Sequence, residues 1–224
     1  MTADCEKQEM GFLVGLRAEA ELLRKFWPDS PIAVSGATRE GAERGAGRLI
    51  ACGVRNLVSF GLAAGLDPAL KPGDIVIPDV VMVGKTLCPC DPALRRRLGA
   101  TPGEVIAGAL LHSDSVVLDA EAKQLLAYES GCCALDMESG FVAQAARQHG
   151  RSFAVLRAIC DPGSRTLPAA AGIALSPDGG VKTGLLLRSL LRDPGQIGGL
   201  IGLGIDAFKA RRAMNRFLEA HCRF

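Results

Sequence analysis

Asn56-Leu-Val-Ser-Phe-Gly-Leu-Ala-Ala-Gly65 is the stretch whose reading decides the fold. Asn56–Phe60 is a short apolar run of strand length, and Gly61–Gly65 reads as a small-residue, glycine-rich turn directly after it. A strand feeding such a turn is the repeating unit of an α/β sheet, where ligands bind beyond the carboxyl ends of strands.

The chain on either side keeps the same rhythm. Upstream, Gly11–Gly15 reads as a buried strand, Arg17–Phe26 as a helix stopped by Trp27-Pro28, and Ile32–Ser35 as a second strand. Thr38–Cys52 carries Ala42, Gly45 and Ala46 beside Leu49 and Ile50, and Gly53 ends it, which suits a helix packed closely on a sheet. Downstream, Asp74–Pro78 and Val80–Val83 read as a strand pair interrupted by proline. After a loop rich in proline and arginine, Glu104–Leu111 regains strand character. A helix at Glu121–Ser130 ends at Gly131, Ala134–Asp136 closes a strand, Glu138–His149 is a helix capped by Gly150, and Phe153–Ile159 is another strand. Alternation of this kind predicts an α/β fold with both sheet faces covered.

Residues 1–165 are expected to form this core and 166–224 a tail packed on it or extending it. Pro162-Gly163, Pro168, Pro177 and Gly179-Gly180 break the chain into loops, and helices are expected near Lys182–Arg192 and Gln196–His221. The second sets Ile197, Leu200, Ile201, Ile205 and Phe208 ahead of Lys209, Arg211, Arg212 and Arg216. Such a helix either packs on the core or lies against a membrane surface.

The 26 basic and 24 acidic residues nearly cancel, which argues against nucleic acid as a bulk partner, and the 4% aromatic content gives no base-stacking platform. No apolar run reaches membrane-spanning length, and no basic-then-apolar leader opens the chain, so a cytoplasmic location is expected. The eight cysteines then read as reduced thiols, and Cys88-Pro-Cys90 and Cys132-Cys133 lack zinc-site spacing, so no metal is expected.

Polar groups collect just past the apolar runs: Glu19 after the first strand, Asp136-Met137-Glu138 at a helix start, and Asp161 at a strand end. Each has an ordinary structural reading as a surface helix residue, a helix-start carboxylate or a turn former. If their strands are neighbours, they share one cleft.

In order, Gly61-Leu-Ala-Ala-Gly-Leu66, Gly73-Asp-Ile-Val76, Leu135-Asp-Met-Glu-Ser139 and Arg157-Ala-Ile-Cys-Asp161 resemble the methylthioadenosine/S-adenosylhomocysteine nucleosidases and their nucleoside phosphorylase relatives over roughly Gly11 to Asp161. The resemblance implies one three-layer domain with a central mixed sheet, no cofactor, a homodimer, and cleavage of a purine nucleoside with release of adenine. It implies that Asp161 protonates the leaving base and that Glu19 orients or deprotonates the attacking water. Glu138 would hold the ribose hydroxyls, Met137 would pack on the sugar with its neighbour Asp136 helping to frame the substrate pocket, Ala63 and Gly65 would let backbone approach the nucleoside, and Val117 would meet the adenine edge. Asp136 stands where the family has a glutamate, Cys160 where it has serine, and Val116 where it has a stacking phenylalanine; Asp114 reads as a buried turn residue.

Phosphorylases of this kind place an arginine where Ser59 stands, which favours water over phosphate as acceptor, although Arg17 and Arg39 follow the first two strands and can reach the same cleft. Inorganic phosphate is a co-substrate only if they do. Leu167-Pro-Ala-Ala, Ser176-Pro-Asp-Gly and the run Leu187–Gly195 are similar to the hopanoid-associated branch of the family, which implies adenosylhopane as the nucleoside and a peripheral contact with the inner membrane face through the last helix. The alternatives are phosphorolysis, a methylthioadenosine/S-adenosylhomocysteine nucleosidase, and a nucleoside-binding module without turnover. A dinucleotide oxidoreductase is poorly supported, because Gly199–Gly204 has the wrong glycine spacing and no preceding strand.

Overall fold

The computed structural model describes residues 9–173, 193 and 195–221. Its elements are β1 (Met10–Val14), α1 (Arg17–Leu23), β2 (Ile32–Val34), α2 (Arg39–Ala51), β3 (Asn56–Gly65), β4 (Ile75–Val76), β5 (Val80–Val83) and β6 (Thr86–Pro89). There follow α3 (Pro92–Arg97), β7 (Ala109–His112), α4 (Ala120–Ser130), β8 (Ala134–Asp136), α5 (Ser139–Gln148), β9 (Ser152–Asp161), α6 (Ala169–Ile173) and α7 (Gln196–His221). The strands form one mixed nine-stranded sheet in the order β2-β1-β3-β8-β7-β5-β6, with β9 pairing β3 and β4.

β3 and β9 run parallel through the centre, and their alternating side chains define the layers. Val58, Phe60, Ala154, Leu156 and Ala158 pack toward α1, α3 and α7 with Leu22, Leu94, Met214 and Leu218. Leu57, Ala63, Phe153, Val155 and Ile159 pack the other way, against Ala42 and Leu49 of α2 and Phe141 and Val142 of α5. α2 can lie this close because Gly45 has no side chain: a Cβ there would sit 2.5 Å from Leu13 Cδ1. Thr38 caps it by accepting the Gly41 N–H at 3.1 Å.

Several local expectations are corrected. Gly61–Gly65 is not a turn but the second half of β3, because β9 continues to pair with it as far as Ala64. Asp74–Pro78 and Val80–Val83 do not pair with each other; β4 joins β9, and β5 joins β6 and β7. The loop rich in proline and arginine contains β6 and α3, the latter capped by Asp91, and strand structure after it is confined to Ala109–His112. The helix expected at Lys182–Arg192 lies outside the described residues, whereas α7 spans Gln196–His221.

At the C-terminal end of β3 the topology gathers the polar segments. Ala64 is flanked by Asp161 of β9 and by Leu135 of β8, so Asp161 and the Asp136–Glu138 segment approach the strand end from opposite sides. The β3–β9 register skips Cys160 between the Ile159 and Asp161 pairings, a bulge that re-aims the end of β9.

Candidate active site

The centre of the site is a residue to which the sequence reading assigned no role. Arg157, in the middle of apolar β9, is 1% exposed. Its Nη2 lies 2.5 Å from Asp136 Oδ2 and 3.2 Å from Glu138 Oε2, and it donates to Ser59 Oγ at 2.7 Å. A buried guanidinium persists only where carboxylates and acceptors surround it. That requirement was the available signal: an arginine inside a strand calls for carboxylates nearby, and Asp136 and Glu138 were the candidates.

Asp136 is thus an ion-pair partner of Arg157. It also accepts from the Ser139 hydroxyl and from the Ser139 N–H, the latter at 3.1 Å, tying the start of α5 to β8. Ser59, set beside the cleft by the sequence reading, is fully buried beneath Arg157.

Glu138, at the N-cap of α5, and Glu19, in the first turn of α1, meet across Gly15. A Cβ on Gly15 would lie 2.9 Å from Glu138 Oε1 and 3.5 Å from Glu19 Oε2. Gly61 plays the same part on β3, where a Cβ would lie 2.5 Å from Glu19 Oε1 and 2.6 Å from Arg157 Nη1. Two missing side chains thus let two carboxyls and a guanidinium converge. Glu19 accepts the N–H of Leu16 at 2.8 Å and that of Leu62 at 3.0 Å.

Burial pushes the Glu19 carboxyl above its usual range, against the charge of Arg157. Burial pushes Glu138 up to about 7, with Arg157 opposing and Asp136 and Glu19 adding to the rise. For Glu138 the folded value exceeds the ordinary 4.5, so its stabilising contribution is complete below 4.5 and is lost as pH rises through about 7. The Tm is expected to fall through this group between about pH 5 and about pH 8, and Glu138→Gln is expected to flatten that dependence. Scanning calorimetry at both pH values checks this; parallel slopes in the two proteins would contradict it.

Asp161 stands at the end of β9 with its side chain 5% exposed. Its Oδ2 is 2.5 Å from the Nζ of Lys123, a fully buried lysine on α4, while Oδ1 has no partner among the described residues. Burial raises the proton affinity of Asp161, against the hydrogen bond and charge of Lys123 and the charge of Arg165. Cys160 beside it is a half-buried thiol pushed up to about 12 by desolvation and by the charges of Asp161 and Glu19. Nothing in the sequence of Glu121–Ser130 announces Lys123 as a buried residue.

The remaining candidates spread around this centre. Met137 is half-buried between β8 and α5. Ala63 is buried in the core toward α2 and α5, and Gly65 pairs with Ala134. Val117 is half-buried against Leu66, Leu111 and Leu135. Arg17 is exposed at the start of α1. Arg39 pairs with Glu43 at 3.1 Å and Asp114 at 3.7 Å, and its guanidinium carbon lies 5.6 Å from the Phe141 ring. Asp114 is exposed, not a buried turn residue. Among the described residues no group of His, Cys, Asp and Glu side chains is arranged to hold a metal ion.

Glu19 also forms part of the wall of a cavity of about 280 Å³ between α1, β3 and α7, lined further by Leu16, Leu22, Leu62, Phe208 and Met214. Glu138 and Asp161 do not line it, so Glu19 joins an apolar chamber to the polar cluster. Beyond the chamber α7 exposes Ile197, Ile201, Ile205 and Phe208, which at their spacing form one stripe. No described helix is long and apolar enough to cross a membrane.

A family model described as the phosphorylase superfamily matches residues 32–174. No curated protein matches the chain. Among solved structures it is similar to the futalosine hydrolase of Helicobacter pylori, with 16% identity, TM-score 0.68, and 95% of this chain and 96% of that one covered. The 5′-methylthioadenosine/S-adenosylhomocysteine nucleosidase of the same organism, solved with butyl-thio-DADMe-Immucillin-A, gives 16% identity, TM-score 0.65 and coverage of 96% and 99%. A putative methylthioadenosine nucleosidase from Weissella paramesenteroides gives 20% identity, TM-score 0.59 and coverage of 94% and 97%. At these identities the likeness establishes the α/β fold with its central mixed sheet and long C-terminal helix.

Proposed function

Because the chain belongs to the phosphorylase superfamily, and is thus an enzyme of the nucleosidase or phosphorylase kind, we propose that it hydrolyses the N-glycosidic bond of an adenine nucleoside, converting adenosylhopane to ribosylhopane with release of adenine. The observation that carries this reading is the convergence of Glu19, Glu138 and Arg157 on Gly15 and Gly61, with Asp161 on the far side of Ala64.

The chemistry follows from these groups. Breaking the bond leaves positive charge on the sugar ring and negative charge on the base. Asp161 supplies a proton to the base. Glu138 accepts from the ribose hydroxyls and brings negative charge to the ring. Glu19, fixed by two backbone N–H groups, takes a proton from the attacking water. Met137 packs on the sugar, with Val117 beside the base.

Water is favoured over phosphate by the charge of the site. Arg157 is already matched by Asp136 and Glu138, with Glu19 beside it, so the cluster does not offer the surplus positive charge that a phosphate anion needs. Arg39 is engaged at the surface with Glu43 and Asp114. The lipid substituent is supported by the apolar chamber beside Glu19 and by the exposed stripe on α7. The same reading carries a homodimer and a peripheral contact with the inner membrane face.

Adenine release is expected from adenosylhopane at a rate indifferent to added phosphate, with free ribosyl product detected by mass spectrometry. A sugar 1-phosphate would replace hydrolysis by phosphorolysis. Rapid turnover of methylthioadenosine with none of the lipid would remove the hopanoid substrate.

A further inference from the structure

Helix α4 buries one side chain fully, and that side chain is a lysine. A helix needing only an anchor is served by leucine or methionine, since burying an ammonium group is costly unless it is paired and hydrogen-bonded. Lys123 is paired: its Nζ donates to Asp161 Oδ2 at 2.5 Å and to the Arg165 carbonyl oxygen at 2.8 Å. Two fixed acceptors leave Lys123 little freedom, and they hold Asp161 by one oxygen. The other oxygen, Oδ1, is buried and without a partner among the described residues. A buried acceptor left open in this way is costly for a purely structural aspartate, and it suits a group that waits for a substrate atom.

Resting on the nucleosidase reading, we propose that Lys123 is a positioning residue for the reaction, turning Asp161 Oδ1 toward the departing base and neutralising the carboxylate that forms when Asp161 gives up its proton. In that step the Asp161 Oδ1–H bond breaks as a purine N7–H bond forms. The C1′–N9 bond breaks with its electron pair passing into the base, and the new carboxylate stays paired with the Lys123 ammonium. Solvent returns the proton to Asp161 after adenine leaves. A positive charge held on the conjugate base makes Asp161 a stronger acid in an apolar setting that would otherwise keep its proton bound.

The charged and titratable groups around Asp161 come from four elements. Lys123 faces it from α4, and Cys160 precedes it on β9. Arg165 follows in the next loop and pairs at 2.5 Å with Asp206 of α7, which Lys209 also meets at 2.9 Å. Arg165 acts in the same direction as Lys123, and Asp206 acts against them. Substitution at Lys123 leaves both charges of the Arg165–Asp206 pair in the chain, so the lysine is the one charge removed beside Asp161.

The test compares the wild type with Lys123→Met and Lys123→Gln. One readout is the pH dependence of kcat/KM for adenine release from adenosylhopane. The other is the carboxyl ¹³C titration of Asp161 in the substrate-free protein, assigned by its loss in Asp161→Asn. An acid must be protonated to act, so activity falls as pH rises through its pKa, and removing a nearby cation moves that limb upward. Both the alkaline limb and the Asp161 titration are expected to rise by about 1–3 pH units in the neutral variants. The kcat is expected to fall by about tenfold or more with KM within a few-fold, and Lys123→Arg is expected to restore the wild-type limb. A residue that merely supports the fold would lower activity without moving either titration, and that result overturns the proposal. The NMR readout needs no turnover, and the Gln variant covers the case in which Met does not fold. Should the wild type release no adenine from either adenosylhopane or 5′-methylthioadenosine while the Asp161 titration still moves, the coupling stands and the nucleosidase reading is the one that fails.

Discussion

Asp161→Asn is expected to lower adenine release by about 10²- to 10⁴-fold, the range typical for loss of a positioned general acid, while nucleoside binding changes only a few-fold. Asparagine keeps the size of the side chain and leaves an oxygen for the Lys123 Nζ, now 2.5 Å from Asp161 Oδ2. What it lacks is a carboxyl proton for the base. The substitution also strips Lys123 of its counter-charge, and leaving one member of a buried pair uncompensated costs about 3–5 kcal/mol at most. Turnover is therefore read per folded molecule, with calorimetric Tm alongside and binding measured by titration calorimetry on a slowly cleaved nucleoside. Adenine release at the wild-type rate would take Asp161 out of the acid role. A loss of binding as large as the loss of turnover would make it a binding residue instead.

The second large effect concerns stability. Arg157→Leu is expected to destabilise the protein by about 3–5 kcal/mol near neutral pH, because it leaves Asp136 and Glu138 buried without their shared cation. The two carboxylates are 1% and 7% exposed, so water cannot replace the guanidinium. Ser59 also loses its strongest partner. The deficit should shrink in acid. Arg157 opposes the rise in proton affinity of Glu19 and Glu138, so its loss lifts their folded values further above the unfolded ones. A group whose folded value is raised contributes stability below its unfolded value and loses it as pH rises, so the variant recovers toward the wild type as pH falls to about 5. Urea unfolding at about pH 5 and about pH 8 measures both quantities. A deficit below about 1 kcal/mol at the higher pH, or one independent of pH, would show that the cluster does not depend on Arg157 for its charge balance.

Much of the fold was legible in the chain. Gly45 and Ala46 among apolar residues marked a helix packed closely on a sheet, Gly131 marked the end of α4 and takes a φ of 66°, and the spacing of apolar residues in Gln196–His221 marked α7. The error over Gly61–Gly65 has a physical cause. Glycine and alanine carry little strand preference of their own, and this segment is extended because β9 pairs with it residue by residue, which local sequence does not report. The same holds for β4, two residues long and held by pairing to β9.

The candidate site divides along similar lines. Glu19, Glu138 and Asp161 stood out because carboxylates just past strands are exposed to a short list of uses, and their order carried the family resemblance. Arg157 was visible as a residue but not as a centre, since its role depends on the β3–β8–β9 neighbourhood that sets Asp136 and Glu138 against it. Lys123 gave no local sign at all.

From the chain alone came the class of fold, most element types, and the acidic residues worth watching, because hydrophobic period, caps and breakers act over a few residues and are written where they act. Tertiary structure alone decided which strands lie side by side, and hence that Ala64 has Asp161 on one flank and Leu135 on the other. It also decided which carboxyl faces Arg157 and which faces Lys123. Burial and charge pairing join residues far apart in sequence, so a side chain's chemistry is set by neighbours that its own segment does not name.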